Sequence, residues 1–256
     1  MLNSTTDGLT GAVDEPMYHT FPDKGLVIDV VIHNASGDVV VRGNPAESMG
    51  DTTVRIEPRL EIRSVNNIED KLEEIQWDVR MDQNDHGGQT LFITLKSKDH
   101  EAWFAGSDIE VDAARLGDVT IDTKRGKIIV DDNRGSVDLS TTRGEIRVRT
   151  PWPMTKPSAM VTKDADIEWV IRGESAGAYD CETVGGTIHS YCRYGRWLML
   201  DEGNYVNGKR VNRNDGNSLH ATLNNGKNPI VMRNVDGDIR IKIVEDPHST
   251  GTFHWP

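Results

Sequence analysis

Apolar and polar positions alternate strictly along residues 117–150, and the alternation restarts every nine residues. Glycine opens each unit, at Gly117, Gly126, Gly135 and Gly144. A period of two with β-branched residues is typical of a strand with one buried face, and it excludes a helix over this stretch. The stretch is therefore predicted to be an internal repeat of one strand and one turn. The predicted inward positions are Val119, Ile121, Ile128, Val130, Val137, Leu139, Ile146 and Val148.

The repeat admits two ways of joining successive strands in an all-β fold. Two nine-residue units could form one 18-residue coil of a single-stranded β-solenoid, in which like residues stack rung upon rung. The same turns could close the hairpins of an antiparallel meander or sandwich. A meander needs another layer to cover its apolar face, and the sequence offers no long amphipathic helix for that role. We therefore favour the solenoid, as a right-handed β-helix, and expect Arg125 and Arg143 to stack on one edge.

The rest of the chain is predicted to extend the repeats into one β domain over residues 26–246. Before it, Gly, Thr, Asp and Pro are frequent and no period is sustained, which is typical of a loosely held segment. Prolines at 151–157 interrupt the regular units, because they cannot belong to a central strand. The predicted order is a loosely ordered leader (1–25), irregular N-terminal strands (26–105), regular repeats (106–150), irregular C-terminal repeats (151–246) and a tail (247–256).

Residues 203–217 hold no strand pattern and are rich in Asn and Gly, so they are predicted to form the longest protruding loop. Recognition often lies on such loops carried by a rigid scaffold. Two aromatic residues in predicted loops, Trp152 and Tyr205, could stack on sugar rings. The candidate contact surface is Trp152, Asn204, Tyr205, Asn207, Lys209, Arg210 and Arg213.

The sequence contains no motif that predicts catalysis, a cofactor or a metal. The eight histidines show no paired spacing, and two cysteines cannot form a four-cysteine zinc site. Each repeat glycine opens a strand and not a helix, so the units match neither a Walker A loop nor a dinucleotide fingerprint. We therefore predict no catalytic, cofactor-binding or metal-binding residue, and no cofactor.

The only two cysteines, Cys181 and Cys192, both fall on the inward parity of adjacent units. Cysteine often behaves as a small core residue, so we expect buried, poorly reactive thiols. A disulfide is the alternative, and it would require export to an oxidising compartment.

Carboxylates at outward positions raise the possibility of an enzyme. A polysaccharide-cleaving enzyme built on a β-helix also presents acids on such a face. Here the acids alternate with Thr, Lys and Arg in every unit, as in a solvated charge ladder, and no pair stands out. We therefore expect a protein that is not an enzyme. The outward acids are Asp118, Asp122, Asp131, Asp132 and Asp138.

The charge balance argues against a nucleic-acid partner, and the hydropathy argues against a membrane-spanning segment. The 41 Asp and Glu exceed the 29 Lys and Arg, for a net charge of −12, which argues against a nucleic acid as the main partner. No apolar run approaches the roughly 18 residues of a membrane span. The first residues lack the basic and apolar regions of a signal peptide, so they indicate either a cytosolic start or a chain shown without its export signal.

The units GDVTIDTKRGKIIVDDNRGSVDLSTTRGEIRV and the closing LHATLNNGKNPIVMRNVDGDIRI resemble the bacterial "putative adhesin" family of domains of unknown function (DUF4097-like). The resemblance covers about residues 26–243, where short G-x-I-x-V units repeat and an Asn-Gly-rich turn precedes the last strand. It implies a β-solenoid that is exported and associated with the envelope, with no assigned enzymatic activity. It carries no catalytic or ligand residue to transfer.

The expected function is a non-catalytic cell-envelope or surface module, acting as an adhesin, binder or scaffold toward a protein or glycan of the envelope. The expected location, implied by the resemblance, is extracytoplasmic, in the periplasm or at the cell surface. The alternatives are a carbohydrate-active enzyme on the same scaffold, an envelope-stress signalling component that acts through protein binding, and a cytoplasmic location.

Overall fold

The computed structural model describes residues 9–12, 15–44, 50–62, 75–97, 105–200, 204–206, 209–211 and 216–249. Within these ranges the chain forms β-strands and one short 3-10 turn, η1 (Pro247–Ser249), and no α-helix. The first eleven strands are β1 (Leu9–Ala12), β2 (Met17–Phe21), β3 (Ile28–Asn34), β4 (Val39–Gly43), β5 (Thr52–Ile62), β6 (Ile75–Gln83), β7 (Gln89–Ser97), β8 (Ala105–Ala113), β9 (Leu116–Arg125), β10 (Ile128–Asp131) and β11 (Val137–Arg143). The others are β12 (Ile146–Thr150), β13 (Ser158–Val161), β14 (Ile167–Arg172), β15 (Gly177–Thr183), β16 (Ile188–Cys192), β17 (Trp197–Met199), β18 (Asn204–Val206), β19 (Lys209–Val211), β20 (Ser218–Leu223), β21 (Pro229–Asn234) and β22 (Ile239–Val244).

Most of these strands belong to two large sheets. Sheet A has the order β1-β5-β8-β4-β10-β12-β14-β22-β16, with β2 also paired to β5. Sheet B has the order β17-β20-β15-β21-β13-β11-β9-β3-β7-β6. Consecutive strands that alternate between the sheets make one coil, and the coils stack in parallel: β3–β4, β7–β8, β9–β10, β11–β12, β13–β14, β15–β16 and β21–β22. The chain is therefore a β-solenoid.

The register within the regular repeats confirms the 18-residue coil. In sheet B, Val119 pairs with Val137 and Arg125 with Arg143, and both pairings are parallel. In sheet A, Ile128 pairs in the same way with the residue 18 positions later. The meander alternative is therefore wrong for the repeats. Within the two large sheets, the antiparallel pairs among the described residues lie toward the two ends of the stack. The right-handed sense of the coil stays a prediction.

The order of the coils in space differs from their order along the chain. The first coil, β3–β4, lies between β7–β8 and β9–β10. The last coil, β21–β22, lies between β13–β14 and β15–β16. Both of these coils are thus inserted one rung inside the stack. Their neighbours on each side come from distant parts of the sequence, so we expect slow folding governed by non-local contacts.

The space between the sheets holds one continuous apolar core. The eight inward positions predicted from the repeat are each at most 1% exposed. Val and Ile dominate because branched side chains pack well on a pleated surface. Each buried one contributes about 1.5–3 kcal/mol relative to an exposed side chain.

A column of buried polar side chains follows the inner corner where sheet B strands turn toward sheet A. Asn34 Nδ2 donates to the carbonyl of Ser107 at 2.8 Å, and Thr162 Oγ1 donates to the carbonyl of Gly144 at 3.0 Å. These side chains supply hydrogen bonds to backbone carbonyls at this corner, both in a turn, as at Gly144, and near the start of a strand, as at Ser107 in β8. The column comprises Asn34, Thr123, Thr141, Thr162, Asn234 and Thr183.

The stacked turns at this corner require glycine. Gly126 has φ +117°, and a Cβ there would lie 2.0 Å from the carbonyl oxygen of Gly37 on the next rung. Gly144 has φ +155°, and its Cβ would lie 1.9 Å from the oxygen of Gly126. Both the backbone conformation and the close approach of the turns exclude a side chain.

Aspartates that start the units link one rung to the next, and we call this set the aspartate ladder. Asp29 Oδ1 accepts a hydrogen bond from the backbone N–H of Asp118 at 2.8 Å, and Asp118 Oδ1 accepts one from Ser136 N–H at 2.7 Å. At the other corner, Asp238 Oδ1 accepts from Thr187 N–H at 3.0 Å. The aspartate ladder explains the recurring Gly-Asp pair.

Regular structure extends into both predicted terminal segments. Strands β1 and β2, which fall within the expected leader at 1–25, pair antiparallel with β5. The turn η1 falls within the expected tail and packs on β12 and β14. His248 Nε2 lies 2.7 Å from Asp132 Oδ1. Whether the division of the domain follows the predicted boundaries stays a proposal.

Candidate functional site: the open end of the solenoid

The end of the stack formed by β7–β8 is covered in both sheets. Strand β5 pairs antiparallel with β8, and β6 pairs antiparallel with β7. Strands β1 and β2 extend sheet A by one further position. As a result, inward side chains of this rung such as Ile93 and Ile109 are fully buried.

At the opposite end, formed by β15–β16, only one of the two sheets continues within the residues that the structure describes. Sheet B continues past β15 with β20 and β17, whereas β16 is the last strand of sheet A. The inner side chains of β20 are buried, so the uncovered side of this rung is the edge of sheet A at β16. The inner side chains of β16, namely Ile188, Ser190 and Cys192, are only half-buried.

Strand β16 pairs with β22 through one of its two backbone edges. Ile239 N–H donates to Thr187 O at 3.0 Å, and Arg193 N–H donates to Ile243 O at 3.0 Å, so alternate residues of β16 face β22. The groups of residues 188, 190 and 192 therefore face outward. Ile188 N–H donates to Gly216 O at 2.6 Å. Nothing in the described part of the chain pairs with the N–H groups of residues 190 and 192.

Large apolar side chains are exposed along β16, β17 and the turn that joins them. We call these five residues the end patch: Tyr191 (46% exposed), Tyr194 (38%), Leu198 (39%), Met199 (51%) and Leu200 (40%). They follow one another within ten positions of the chain. Several large exposed apolar side chains in one part of a protein are a common feature of interaction sites.

The turn beneath the end patch is held by Asn224. Its Nδ2 donates to the carbonyls of Gly173 at 2.6 Å and Ser175 at 2.8 Å. Its Oδ1 accepts from the backbone N–H of Arg196 at 2.7 Å. Asn224 has φ +50°, a conformation that asparagine tolerates better than most residues. The patch is therefore presented by a fixed turn.

Aromatic side chains support the end patch from inside. The ring of Trp197 packs edge-on against Tyr179, with 4.8 Å between ring centroids. Trp169 Nε1 donates to the Tyr179 hydroxyl at 3.4 Å, and burial raises the pKa of Tyr179. The hydroxyl is therefore a neutral structural group.

The predicted contact loop contains a short hairpin. Strands β18 and β19 pair antiparallel, with Tyr205 opposite Arg210. The expectation that 203–217 holds no strand is therefore wrong. Asn204 lies in the same β18, and Lys209 begins β19. Asn207 and Arg213 lie outside the described residues.

Trp152 occupies a separate turn, between β12 and β13. The guanidinium carbon of Arg134 lies 3.7 Å from the centroid of its ring, so one face of the indole is already covered. The turn is anchored by Met154, whose backbone N–H donates to Ser175 Oγ at 2.9 Å. Trp152 thus lies on a different turn from the end patch, and Ser175 contacts both this turn and Asn224.

Two of the five acids expected to be solvated, Asp131 and Asp132, are buried. Asp131 lies 3.4 Å from Arg149 Nε and 3.8 Å from an Arg147 nitrogen. The expectation is wrong because strand parity does not show which residues lie beside an outward side chain. Here Arg147 and Arg149 lie beside Asp131, and His248 of η1 lies beside Asp132. Burial raises the pKa of Asp132, and the nearby His248 opposes that shift.

The other three acids lie in two kinds of surroundings. Asp118 belongs to the aspartate ladder and also accepts a hydrogen bond from Lys156 Nζ at 2.8 Å. Asp122 and Asp138 are exposed on the outer face of sheet B. Across the described residues, no group of three or more His, Cys, Asp or Glu is placed to hold a metal ion.

The two thiols differ in burial. Cys181 is fully buried, as expected, and both cysteines are free. Cys192 is only half-buried, so the expectation of full burial is wrong for it; its Sγ lies 3.1 Å from Tyr194 O, to which it donates. Burial raises the pKa of both thiols. The difference follows from position, because Cys192 lies on the uncovered rung.

The sequence contains a signal for the end patch that its periodicity conceals. Strand periodicity assigns Tyr191 to an outward position, but it does not show that Tyr191 lies near Tyr194 and the β17 residues at one end of the fold. The four apolar residues 197–200 directly precede an Asn-Gly-rich segment. Whether this apolar run is buried or exposed depends on which strands lie beside it in space, and the sequence does not reveal the strand order.

No helix in the part of the chain that the structure describes is long and apolar enough to cross a membrane.

Comparison with known proteins identifies the family. A family model described as Toastrack DUF4097 matches residues 20–242. A solved structure from Clostridium sporogenes ATCC 15579, named a "putative cell adhesion protein", is 10% identical, covers 89% of this chain and 98% of its own, and has a TM-score of 0.56. A "putative adhesin" from Bacteroides fragilis NCTC 9343 is 11% identical and covers 90% of this chain and 98% of its own, with a TM-score of 0.28 that supports no argument. No curated protein matches. The chain belongs to the Toastrack DUF4097 family.

Proposed function

We propose that this chain is a non-catalytic binding module of the bacterial cell envelope, outside the cytoplasm, and that it holds a protein partner at the open end of the solenoid. The observation that carries the proposal is the end patch, exposed on the one rung whose sheet A strand lies at an uncovered edge. The similar Clostridium protein is named for cell adhesion, which agrees with a binding role.

The composition of the end patch favours a protein over a glycan. Its tyrosines and methionine belong to the residue types that are enriched in protein interfaces. Leu198 and Leu200 offer aliphatic surface without hydrogen-bonding groups, whereas sugars need polar partners at the ring edges. Two cations flank the patch: Arg193, whose guanidinium carbon lies 5.9 Å from the Tyr194 ring, and Arg196 in the same turn. They suit a partner with an acidic rim.

We include the hairpin that follows β17 in the proposed contact surface. The hairpin lies between the patch strand β17 and β20 along the chain, so its polar residues can form the rim around the apolar patch. Trp152 would form a second, smaller contact at its own turn, through the ring face that Arg134 does not cover. The proposed rim residues are Asn204, Tyr205, Asn207, Lys209, Arg210 and Arg213.

The proposal is tested by co-sedimentation of the purified chain with envelopes isolated from the bacterium that encodes it. The double variant Tyr191→Glu with Met199→Glu introduces two charges into the end patch. Its binding should fall at least about tenfold, because central apolar contacts dominate interface energies. Val161→Glu is the matched control, since Val161 is 43% exposed on the outer face of sheet B.

Pretreatment of the envelopes separates the classes of partner. Protease should abolish sedimentation of the wild-type chain, and digestion of envelope glycans should leave it unchanged. The proposal fails if the double variant sediments like the wild type, or if only glycan digestion prevents binding.

A further inference from the structure

We propose that the protein partner contributes an extended strand that pairs with the free edge of β16 and so continues sheet A. This inference rests on the proposed function, because it states how the partner binds at the open end. Strand addition to a sheet edge draws affinity from backbone hydrogen bonds and specificity from alternate side chains.

The two sheets end at different positions, and this difference leaves room for the added strand. Beyond the rung β15–β16, sheet B has β20 and β17, and sheet A has no strand in the described residues. At the other end both sheets continue, through β5 and β6. A strand added about 4.8 Å beyond β16 would cover the half-buried Ile188 and Cys192 and would occupy the position opposite β20 of sheet B.

The backbone of β16 offers a short, defined row of hydrogen-bonding groups. Ser190 and Cys192 point their N–H groups to the free side, and Ile188 and Ser190 point their carbonyls the same way. Ile188 N–H already donates to Gly216 O at 2.6 Å, which marks one limit of the row. The added strand therefore spans about five residues of the partner.

Strand β16 lacks the usual features that protect an edge. Proline, lysine and bulges commonly prevent unwanted pairing at exposed strands. The sequence of β16 is IHSYC, and its pairing with β22 is regular over all five residues. At this end of the stack the edge strand of sheet B, by contrast, is β17, which has only three residues.

The chemistry of the site sets the sequence pattern of the partner. Alternate side chains of the added strand would point inward beside Ile188 and Cys192, where apolar residues are favoured. The intervening side chains would lie beside His189 and Tyr191 on the outer face, where polar residues are accepted. The expected partner segment alternates apolar and polar residues and has no proline among its paired residues.

A second copy of the chain fits the edge less well than a single strand. Each copy carries β20 and β17 of sheet B beyond the last rung, while β16 ends sheet A. If the β16 edges of two copies paired directly, sheet A of one copy would continue into sheet A of the other. The β20 and β17 strands of both copies, four in all, would then compete for the same space on the sheet B side.

The test uses a random heptapeptide library displayed on phage and selected on the full chain. Selected peptides should share the period-two apolar pattern. They should lose at least about tenfold in affinity on Ser190→Pro, which removes a free-edge N–H without breaking the pairing to β22. Ser190→Lys places a charge under the added strand and should weaken binding similarly, while Ser190→Ala should bind like the wild type. Thermal melting checks that each variant is folded. If Ser190→Pro does not fold, the binding of Ser190→Lys decides the test.

Three outcomes would overturn the inference. The first is that no peptides are enriched, and the second is that enriched peptides bind both the proline and the lysine variant normally. The third is a concentration-dependent dimer that Ser190→Lys abolishes, which would assign the edge to a second copy.

The result of this test is separable from the test of the proposed function. If envelope binding depends on Tyr191 and Met199 but not on Ser190, the function stands and strand addition fails. If peptides bind at Ser190 while the patch variants sediment normally, the strand site stands and the proposed function fails.

Discussion

The two ends of this solenoid are built from the same kind of rung but are finished differently. At the β7–β8 end, antiparallel strands continue both sheets, and Ile93 in the last rung is fully buried. At the β15–β16 end only sheet B continues, and Ile188 is half-buried. A rung satisfies its backbone and buries its side chains only when another rung lies on each side. The uncovered end is therefore the place where we propose that a partner binds.

The ladders between rungs show the same difference. In the middle of the stack, Asp29 and Asp118 each accept a hydrogen bond from a backbone N–H of the following rung. At the open end, Thr187 N–H donates to Asp238, but Thr187 has no carboxylate with which to continue the ladder. The aspartate ladder thus stops at the rung that we assign to binding.

The largest expected effect concerns the glycine stack. Gly126→Ala combines positive-φ strain with a Cβ placed 2.0 Å from the Gly37 oxygen, so we expect a loss of about 4 kcal/mol in unfolding free energy. Gly216, near the open end, has φ +100° but no heavy atom within 4 Å of the position that a Cβ would occupy, and Gly216→Ala should lose about 1 kcal/mol. Urea denaturation of both variants measures the difference. Equal losses would show that the turns are not closely stacked.

The turns and the coil length could be predicted from the sequence because both are local. Each unit carries its own glycine, and two units make a coil, so the pairing of Arg125 with Arg143 follows from spacing alone. The insertion of β21–β22 one rung inside the stack could not be predicted, because every rung presents similar Val and Ile side chains to its neighbours. Because of this insertion, the last strand of sheet A is β16 and not the C-terminal strand β22.

The candidate site was predictable only in part for the same reason. The Asn-Gly-rich segment after β17 is recognisable by composition, although it contains a hairpin. Tyr191 lies at an outward position of its strand, but parity could not show that β16 is an edge. The burial of Asp131 depends on Arg147 and Arg149, which lie 16 and 18 residues later in sequence and adjacent in space.

Core truncation at the two end rungs should give a smaller contrast. Ile93→Ala removes a fully buried side chain under β5 and β6 and should lose about 3 kcal/mol. Ile188→Ala removes a half-buried side chain and should lose about 1 kcal/mol, because less apolar area is removed from contact and no closed cavity forms. Chemical denaturation decides between them. An equal loss at Ile188 would mean that the open end is covered in solution.

The smallest expected effect is the pH dependence of the aspartate ladder. Burial raises the pKa of Asp118, but its hydrogen bonds with Lys156 and Ser136 N–H outweigh that and hold the pKa below its usual value. The folded-state pKa is therefore below the unfolded one. Ionised Asp118 stabilises the fold above about pH 4, and this contribution is lost as the pH falls through the folded-state pKa.

Asp118→Asn should remove this part of the acid sensitivity. Between about pH 5 and 2, the unfolding free energy of the variant should fall less steeply than that of the wild type. Lys156→Met should change the slope in the same direction by a smaller amount. Parallel pH profiles for the wild type and Asp118→Asn would contradict the proposed ladder.

Amide hydrogen exchange along β16 in the isolated chain tests the open end most directly. His189 and Tyr191 face β22, and we predict slow exchange of their amides; Ser190 and Cys192 face the free edge, and we predict fast exchange of theirs. The alternation should be absent from β8, which has a strand on each side. Uniformly slow exchange along β16 would show that another strand already covers the edge, and it would contradict the account.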